Sequence, residues 1–216
     1  MLNKFFILSS VLFLSFQVQA AHDLDVKITE KLAEVTVKHN GQPVTIMRNQ
    51  DQQNQIDEDF ALTSRACPPF CLQPMNLLPG VKTIGELEML DFLKRKAAGD
   101  DSILIIDSRT PDWVAKGTIP SATNIPWTKL FPQSSSFEPL EVEGILTFQF
   151  GASVVDNIWD FSHAKTLVMF CNGPWCGQSP TNIKALVSMG YPAHKIYWYR
   201  GGMQAWHAAG LTTVSP

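Results

Sequence analysis

The stretch Thr166-Leu167-Val168-Met169-Phe170-Cys171-Asn172-Gly173-Pro174-Trp175-Cys176-Gly177-Gln178-Ser179-Pro180 decides the fold. Residues 166–170 form a continuous apolar run, as expected of a strand buried on both faces. Ser179 and Pro180 read as the N-cap and first position of a helix with Ile183, Leu186 and Val187 as its buried stripe and Gly190 as its stop. The same pattern recurs on either side. Ile103-Leu104-Ile105-Ile106 is a second buried run, ending at Asp107, and Ile196-Tyr197-Trp198-Tyr199 is a third. Gly201-Gly202 turns the third into a short last helix over residues 203–209. Upstream, Thr83 and Glu86 read as a capping box ahead of Leu87, Leu90, Phe92 and Leu93 at helical spacing. Buried strands alternating with amphipathic helices predict an α/β domain with a parallel sheet and helices on both faces. Ligands of such sheets bind beyond the carboxyl ends of strands, and Cys171 stands at one.

A thiol at that point faces backbone N–H groups and the positive end of a helix, and both favour thiolate. Gly173 and Gly177 let the chain curl so that several N–H groups converge on one centre. Residues 171–179 contain no Lys or Arg, so an anion there must be held by backbone dipoles. The alternative is an inert, buried Cys closing a strand; the glycine-bearing loop ahead of a capped helix favours a nucleophile. Cys176 offers a second chemistry, a disulfide with Cys171 in a thiol–disulfide relay. Trp175 could shield the sulfur from water, dock a partner or simply pack.

Cys67 and Cys71 form another pair, in a proline-rich segment, Arg65 to Met75, that cannot be regular helix. A local Cys67–Cys71 bridge is the preferred reading, although four Cys permit other pairings. The sharper reading places this pair against the active loop as a second redox couple. With Met75 the pair makes a soft donor set for Cu(I), but no paired His supports it. No metal and no cofactor is therefore expected.

Composition narrows the classes. The 216 residues are 45 % hydrophobic and 17 % charged, too apolar for disorder. A formal charge of −3 without a basic run argues against a nucleic-acid partner. Residues 1–20 read as a secretory signal: Lys4, an apolar stretch over residues 5–16, and small residues at Val18 and Ala20 before a cleavage site. Export places the mature chain in the periplasm, off the membrane, where a reactive thiol pair would need a reducing partner protein. Residues 21–79 form an N-terminal extension carrying Cys67 and Cys71. Within it, residues 35–38 and 43–47 read as a β-hairpin around Asn40-Gly41, and residues 49–55 as a solvated linker.

From residue 80 to 216 the chain resembles the rhodanese (sulfurtransferase) family. The resemblance is carried by Ile106-Asp107-Ser108-Arg109, by Gly117-Thr118-Ile119-Pro120 with Ser121 to Pro126, by the loop after Phe170, and by Tyr199-Arg200-Gly201-Gly202-Met203-Gln204-Ala205-Trp206. It implies a five-stranded parallel sheet flanked by helices, here preceded by the small hairpin-containing region. It implies that Cys171 accepts sulfane sulfur as a persulfide and that Asn172, Gly173, Pro174, Trp175, Cys176, Gly177, Gln178 and Ser179 form the active loop. Asp107 and Arg109 would organise the neighbouring strand end. The partners implied are a small sulfur donor such as thiosulfate or a polysulfide, and a thiol or cyanide-like acceptor. Three departures stand out: the loop is longer than usual, Cys176 replaces a cationic or polar residue, and Thr118 replaces the motif's His. The connection over residues 128–165 is also long. Gly177 stands where a phosphatase of related fold needs Arg, which argues against phosphate chemistry. Two other functions remain open on the residues alone, a thiol–disulfide oxidoreductase and a non-catalytic binding module.

Overall fold

The computed structural model describes residues 24–156 and 158–216. The signal-peptide assignment to residues 1–20 lies outside them. Among the described residues no helix is long and apolar enough to cross a membrane.

The chain opens with a hairpin, β1 (Glu34–His39) and β2 (Gln42–Met47), and a short helix, α1 (Glu58–Ala61). Asn40 and Gly41 both take positive φ, as the two-residue turn requires. Next come β3 (Lys82–Ile84), α2 (Glu86–Ala97), β4 (Ile103–Asp107), α3 (Pro111–Val114), β5 (Thr123–Asn124) and α4 (Trp127–Leu130). The long connection carries α5 (Pro139–Gly144), a π-turn over Ile145–Gln149, and a small hairpin, β6 (Ser153–Val155) with β7 (Ile158–Asp160). The chain ends with β8 (Thr166–Phe170), α6 (Gln178–Ser188), β9 (Ile196–Tyr199) and α7 (Gly202–Ala208).

Five strands pair in the order β3-β9-β8-β4-β5, every neighbour parallel. Alternation along each strand explains the unbroken apolar runs. Leu104, Ile106, Leu167, Met169, Ile196 and Trp198 point to one core with Ile183 and Leu186 of α6. Ile103, Ile105, Val168, Phe170 and Tyr199 point to the other, with Met89 and Leu93 of α2 and Met203 and Trp206 of α7. Val35, Val37, Ile46 and Phe60 of the N-terminal region fill this second core.

Two helix starts differ from the sequence expectation. Thr83 lies in β3, and α2 is capped by Gly85, whose N–H donates to Glu88 Oε2 at 3.0 Å. Consequently Leu87 faces solvent and Met89 takes the buried place beside Leu90 and Leu93. Helix α6 begins at Gln178 with Gly177 as N-cap, which puts Ser179 inside the first turn, its hydroxyl free for another task.

Register aligns the strand ends: Asp107 is level with Phe170, Phe170 with Tyr199, and Asn124 with Asp107. Cys171 therefore emerges from the central strand, flanked by the loops that follow β4 and β9.

Candidate active site

The loop after β8 is anchored from behind by α7. Met203 N–H donates to the Cys171 carbonyl at 2.9 Å and Gln204 N–H to the Asn172 carbonyl at 2.8 Å. So close an approach demands glycine at 202: φ is +55°, and a Cβ there would collide with the Cys171 carbonyl oxygen and lie 2.9 Å from Gly173 N. Cys176 N–H closes the loop onto the Gly173 carbonyl at 2.9 Å.

Cys171 is 2 % exposed. Burial pushes its thiol up, but hydrogen bonds from the Cys176 thiol, the Ser179 hydroxyl, and the backbone N–H groups of Ser179 and Gly173 outweigh it and hold the pKa below its ordinary value. The Ser179 hydroxyl lies 3.2 Å from Cys171 Sγ and accepts from Trp198 Nε1 at 3.0 Å. The indole N–H occupies a lone pair of the oxygen and leaves its hydrogen for the sulfur. Cys176 behaves oppositely: burial first, then the neighbouring Cys171, drives its pKa well above the ordinary range. Its thiol is thereby the hydrogen-bond donor of the pair and Cys171 the sulfur more readily ionised.

The sequence-predicted loop assembles around this sulfur. Asn172 is buried, with no protein partner for Oδ1, and Gln178 Oε1 is likewise unpartnered. Trp175 Nε1 donates to Gln204 Oε1 at 2.9 Å, and Gln204 Nε2 to the Phe60 carbonyl at 3.0 Å. Asp107 and Arg109 form a buried pair, with Nη2 to Oδ2 at 2.6 Å. Arg109 also donates to the Trp113 and Gly117 carbonyls, and Thr118 Oγ1, at the departure from the family's His, donates to Asp107 at 2.7 Å. Thus the pair shapes the turn after β4. Its link to the active loop is indirect, through Ser108 N–H to the Phe170 carbonyl at 3.0 Å.

Cys67 and Cys71 are joined in a local disulfide, and their segment lies against the active loop. Gln73 N–H donates to the Pro174 carbonyl at 2.8 Å, while Arg200 Nη2 donates to the Gln73 carbonyl at 2.8 Å. Phe70 meets Trp175 edge-on at 5.6 Å, and the Arg65 guanidinium stands 4.4 Å from the Trp175 ring centroid. Between segment and loop lies a cavity of about 330 Å³. A larger cleft of about 680 Å³ runs beside His207, lined by residues 25–27, by residues between 48 and 56 and by residues 207–210, with no cysteine among them. Among the described residues no cluster of His, Cys, Asp or Glu could hold a metal ion.

Several site residues escaped the sequence reading. Gln204 and Arg200 lay inside the quoted 199–206 segment without a role; Trp198 was legible only as core; Phe70 and Gln73 lay in the Cys67 segment without a partner. Their roles depend on contacts between separate elements, from the 19 residues between Trp198 and Ser179 to the 127 between Arg200 and Gln73, which no local pattern records.

No curated protein matches the chain. Among solved structures, a 3-mercaptopyruvate sulfotransferase from Escherichia coli is 22 % identical over 56 % of this chain and 40 % of its own, at a TM-score of 0.37. A thiosulfate sulfurtransferase from Pseudomonas aeruginosa is 18 % identical over 61 % and 20 %, TM-score 0.40. A human single-domain sulfurtransferase is 20 % identical over 57 % and 93 %, TM-score 0.34. The rhodanese-like domain model matches residues 90–209, from within α2 to the end of α7 and so across the central strands and the Cys171 loop, and the chain belongs to that family.

Proposed function

We propose that the protein is a periplasmic sulfurtransferase that carries sulfane sulfur as a persulfide on Cys171. The observation that carries this reading is the set of donors converging on one buried sulfur: the Ser179 hydroxyl, the Cys176 thiol and two backbone N–H groups. In the first half-reaction the Cys171 thiolate attacks the sulfane sulfur of a donor such as thiosulfate or a polysulfide. The donor's S–S bond breaks, its electron pair leaves with sulfite or the shortened polysulfide, and Cys171–S–S⁻ remains. In the second, a thiophilic acceptor attacks the outer sulfur and the electron pair of the breaking S–S bond returns to Sγ. The same donors hold both the thiolate and the persulfide anion. No external oxidant or reductant is consumed.

In a relay, Cys176 would attack and close a disulfide with Cys171. Its raised pKa weighs against that role and supports a hydrogen-bond donor in place of the cation absent from the loop. Residues 1–20, read as a secretory signal, support export. The test is thiocyanate formation from cyanide with thiosulfate and with polysulfide as donors, in wild type and Cys171→Ser. Turnover with at least one donor, abolished by the substitution, is expected; undiminished turnover in Cys171→Ser would reject the proposal. Cell fractionation checks the compartment.

A further inference from the structure

A cavity lies between the Cys67–Cys71 segment and the active loop, beside the sulfur. Its walls are aromatic: Phe70, Trp113, Trp127 and Trp175 surround it, and Cys176 and Gly177 belong to its floor. No acidic or basic side chain lines it. Two cations stand against its rings, Arg65 at Trp175 and Lys116 at Trp113, and both are engaged by Asp59. Arg65 Nη2 donates to the Asp59 carbonyl at 2.7 Å, and Lys116 Nζ to the Asp59 carboxylate at 2.8 Å. A site built for a small inorganic anion would turn such charges inward; here they are turned onto ring faces and an acid. A volume of about 330 Å³ exceeds the need of thiosulfate and suits a ring or branched chain of moderate size.

Distance to the reacting sulfur also fits. Cys171 Sγ lies 3.5 Å from the carbonyl oxygen of Cys176, a residue that lines the cavity. A persulfide extends the reactive atom about 2 Å beyond Sγ. Building on the sulfurtransferase reading, we infer that the acceptor is an organic thiol whose body is uncharged and aromatic or branched, seated in this cavity. Its thiolate attacks the outer sulfur of Cys171–S–S⁻; the R–S–S⁻ product leaves, and the electron pair of the broken bond stays on Cys171 Sγ. The thiol's own proton goes to solvent when it ionises, so atoms and electrons balance without a further reactant.

The test uses full-length protein loaded with polysulfide and two acceptor thiols at equal thiolate concentration, benzyl mercaptan and 2-mercaptoethanesulfonate. Loss of the extra sulfur from Cys171 is followed by intact mass. Benzyl mercaptan is expected to discharge it about tenfold faster or more, because its ring leaves water for an aromatic wall. Phe70→Ala should remove most of that preference; Phe70 is 37 % exposed, so the variant keeps its fold. Equal rates, a preference for the sulfonate, or a preference that Phe70→Ala leaves intact would overturn the inference. So would discharge by a cysteinyl peptide alone, which would assign the cavity to a protein partner. A second arm needs no sulfur transfer. Benzyl methyl sulfide should bind by calorimetry and quench Trp fluorescence, with weaker binding in Trp127→Ala. Binding without loading by any donor would reject the sulfurtransferase reading and keep the cavity as an organic-ligand site. Absence of binding at millimolar concentration would reject the cavity assignment whatever the loading result.

Discussion

Ser179 has one hydroxyl and two neighbours, and the Trp198 indole N–H decides which way it points. A hydrogen bond to a charged group contributes about 1.5–3 kcal/mol. Ser179→Ala should therefore raise the pH midpoint of Cys171 alkylation by iodoacetamide by about one to two units. An unchanged midpoint would assign the lowered pKa to the Cys176 thiol and the backbone N–H groups alone. The sign follows from the depressed pKa: reactivity persists below the ordinary thiol range and is lost as pH falls through the lowered value. Gly202 is the matching constraint on the backbone. Gly202→Ala would drive a Cβ into the carbonyl that Met203 holds, so either α7 or the Cys171 loop must move. The expected loss is about 2 kcal/mol of stability, with activity falling in parallel; urea unfolding beside a thiocyanate assay reads both.

At the scale of elements, legibility in the sequence followed burial. Strands β4, β8 and β9 were readable because both their faces are covered, which confines polar residues to strand ends, Asp107 of β4 and Thr166 of β8. Strands β3 and β5, of three and two residues, are half exposed and polar and carry no such run; only the family resemblance implied five. Cap positions were misjudged for one physical reason. Gly85 and Gly177 have no side chain with which to cap, and Gly85 relies on Glu88 Oε2 three residues on, while Thr83 and Ser179 have the capping chemistry but serve a strand and a sulfur. Helix α7 holds a further test. Its last turn carries His207, stacked on Phe60 at 4.6 Å, and burial, reinforced by Arg109, depresses its pKa below 6.5. The folded state thus resists protonation there. Its contribution to stability is full above pH 6.5 and is lost as pH falls toward and through the depressed value. The stability difference between wild type and His207→Phe should shift against wild type as the pH is lowered below 6.5, read from thermal melts across that range.

Across the whole molecule, the N-terminal region does two things. Val35, Val37, Ile46 and Phe60 fill a core shared with α2 and α7, and the segment around Cys67–Cys71 roofs the active loop. Each such apolar side chain contributes about 1.5–3 kcal/mol on burial. The four together approach the roughly 5–15 kcal/mol that a whole domain has in hand. A chain beginning at residue 80 is therefore expected to unfold or aggregate; a cooperative melt matching the full chain would show that the core closes without that region. The sequence revealed the hairpin and both Cys pairs, but their meeting with the loop depends on tertiary packing.

Intact-mass analysis of the reduced protein after exposure to polysulfide is the most direct measurement of the central chemistry. One extra sulfur is expected, located to the Cys171 peptide, lost on adding cyanide or thiol, and absent from Cys171→Ser. A Cys171–Cys176 disulfide without any sulfur gain would contradict it, and so would a persulfide found only on another residue.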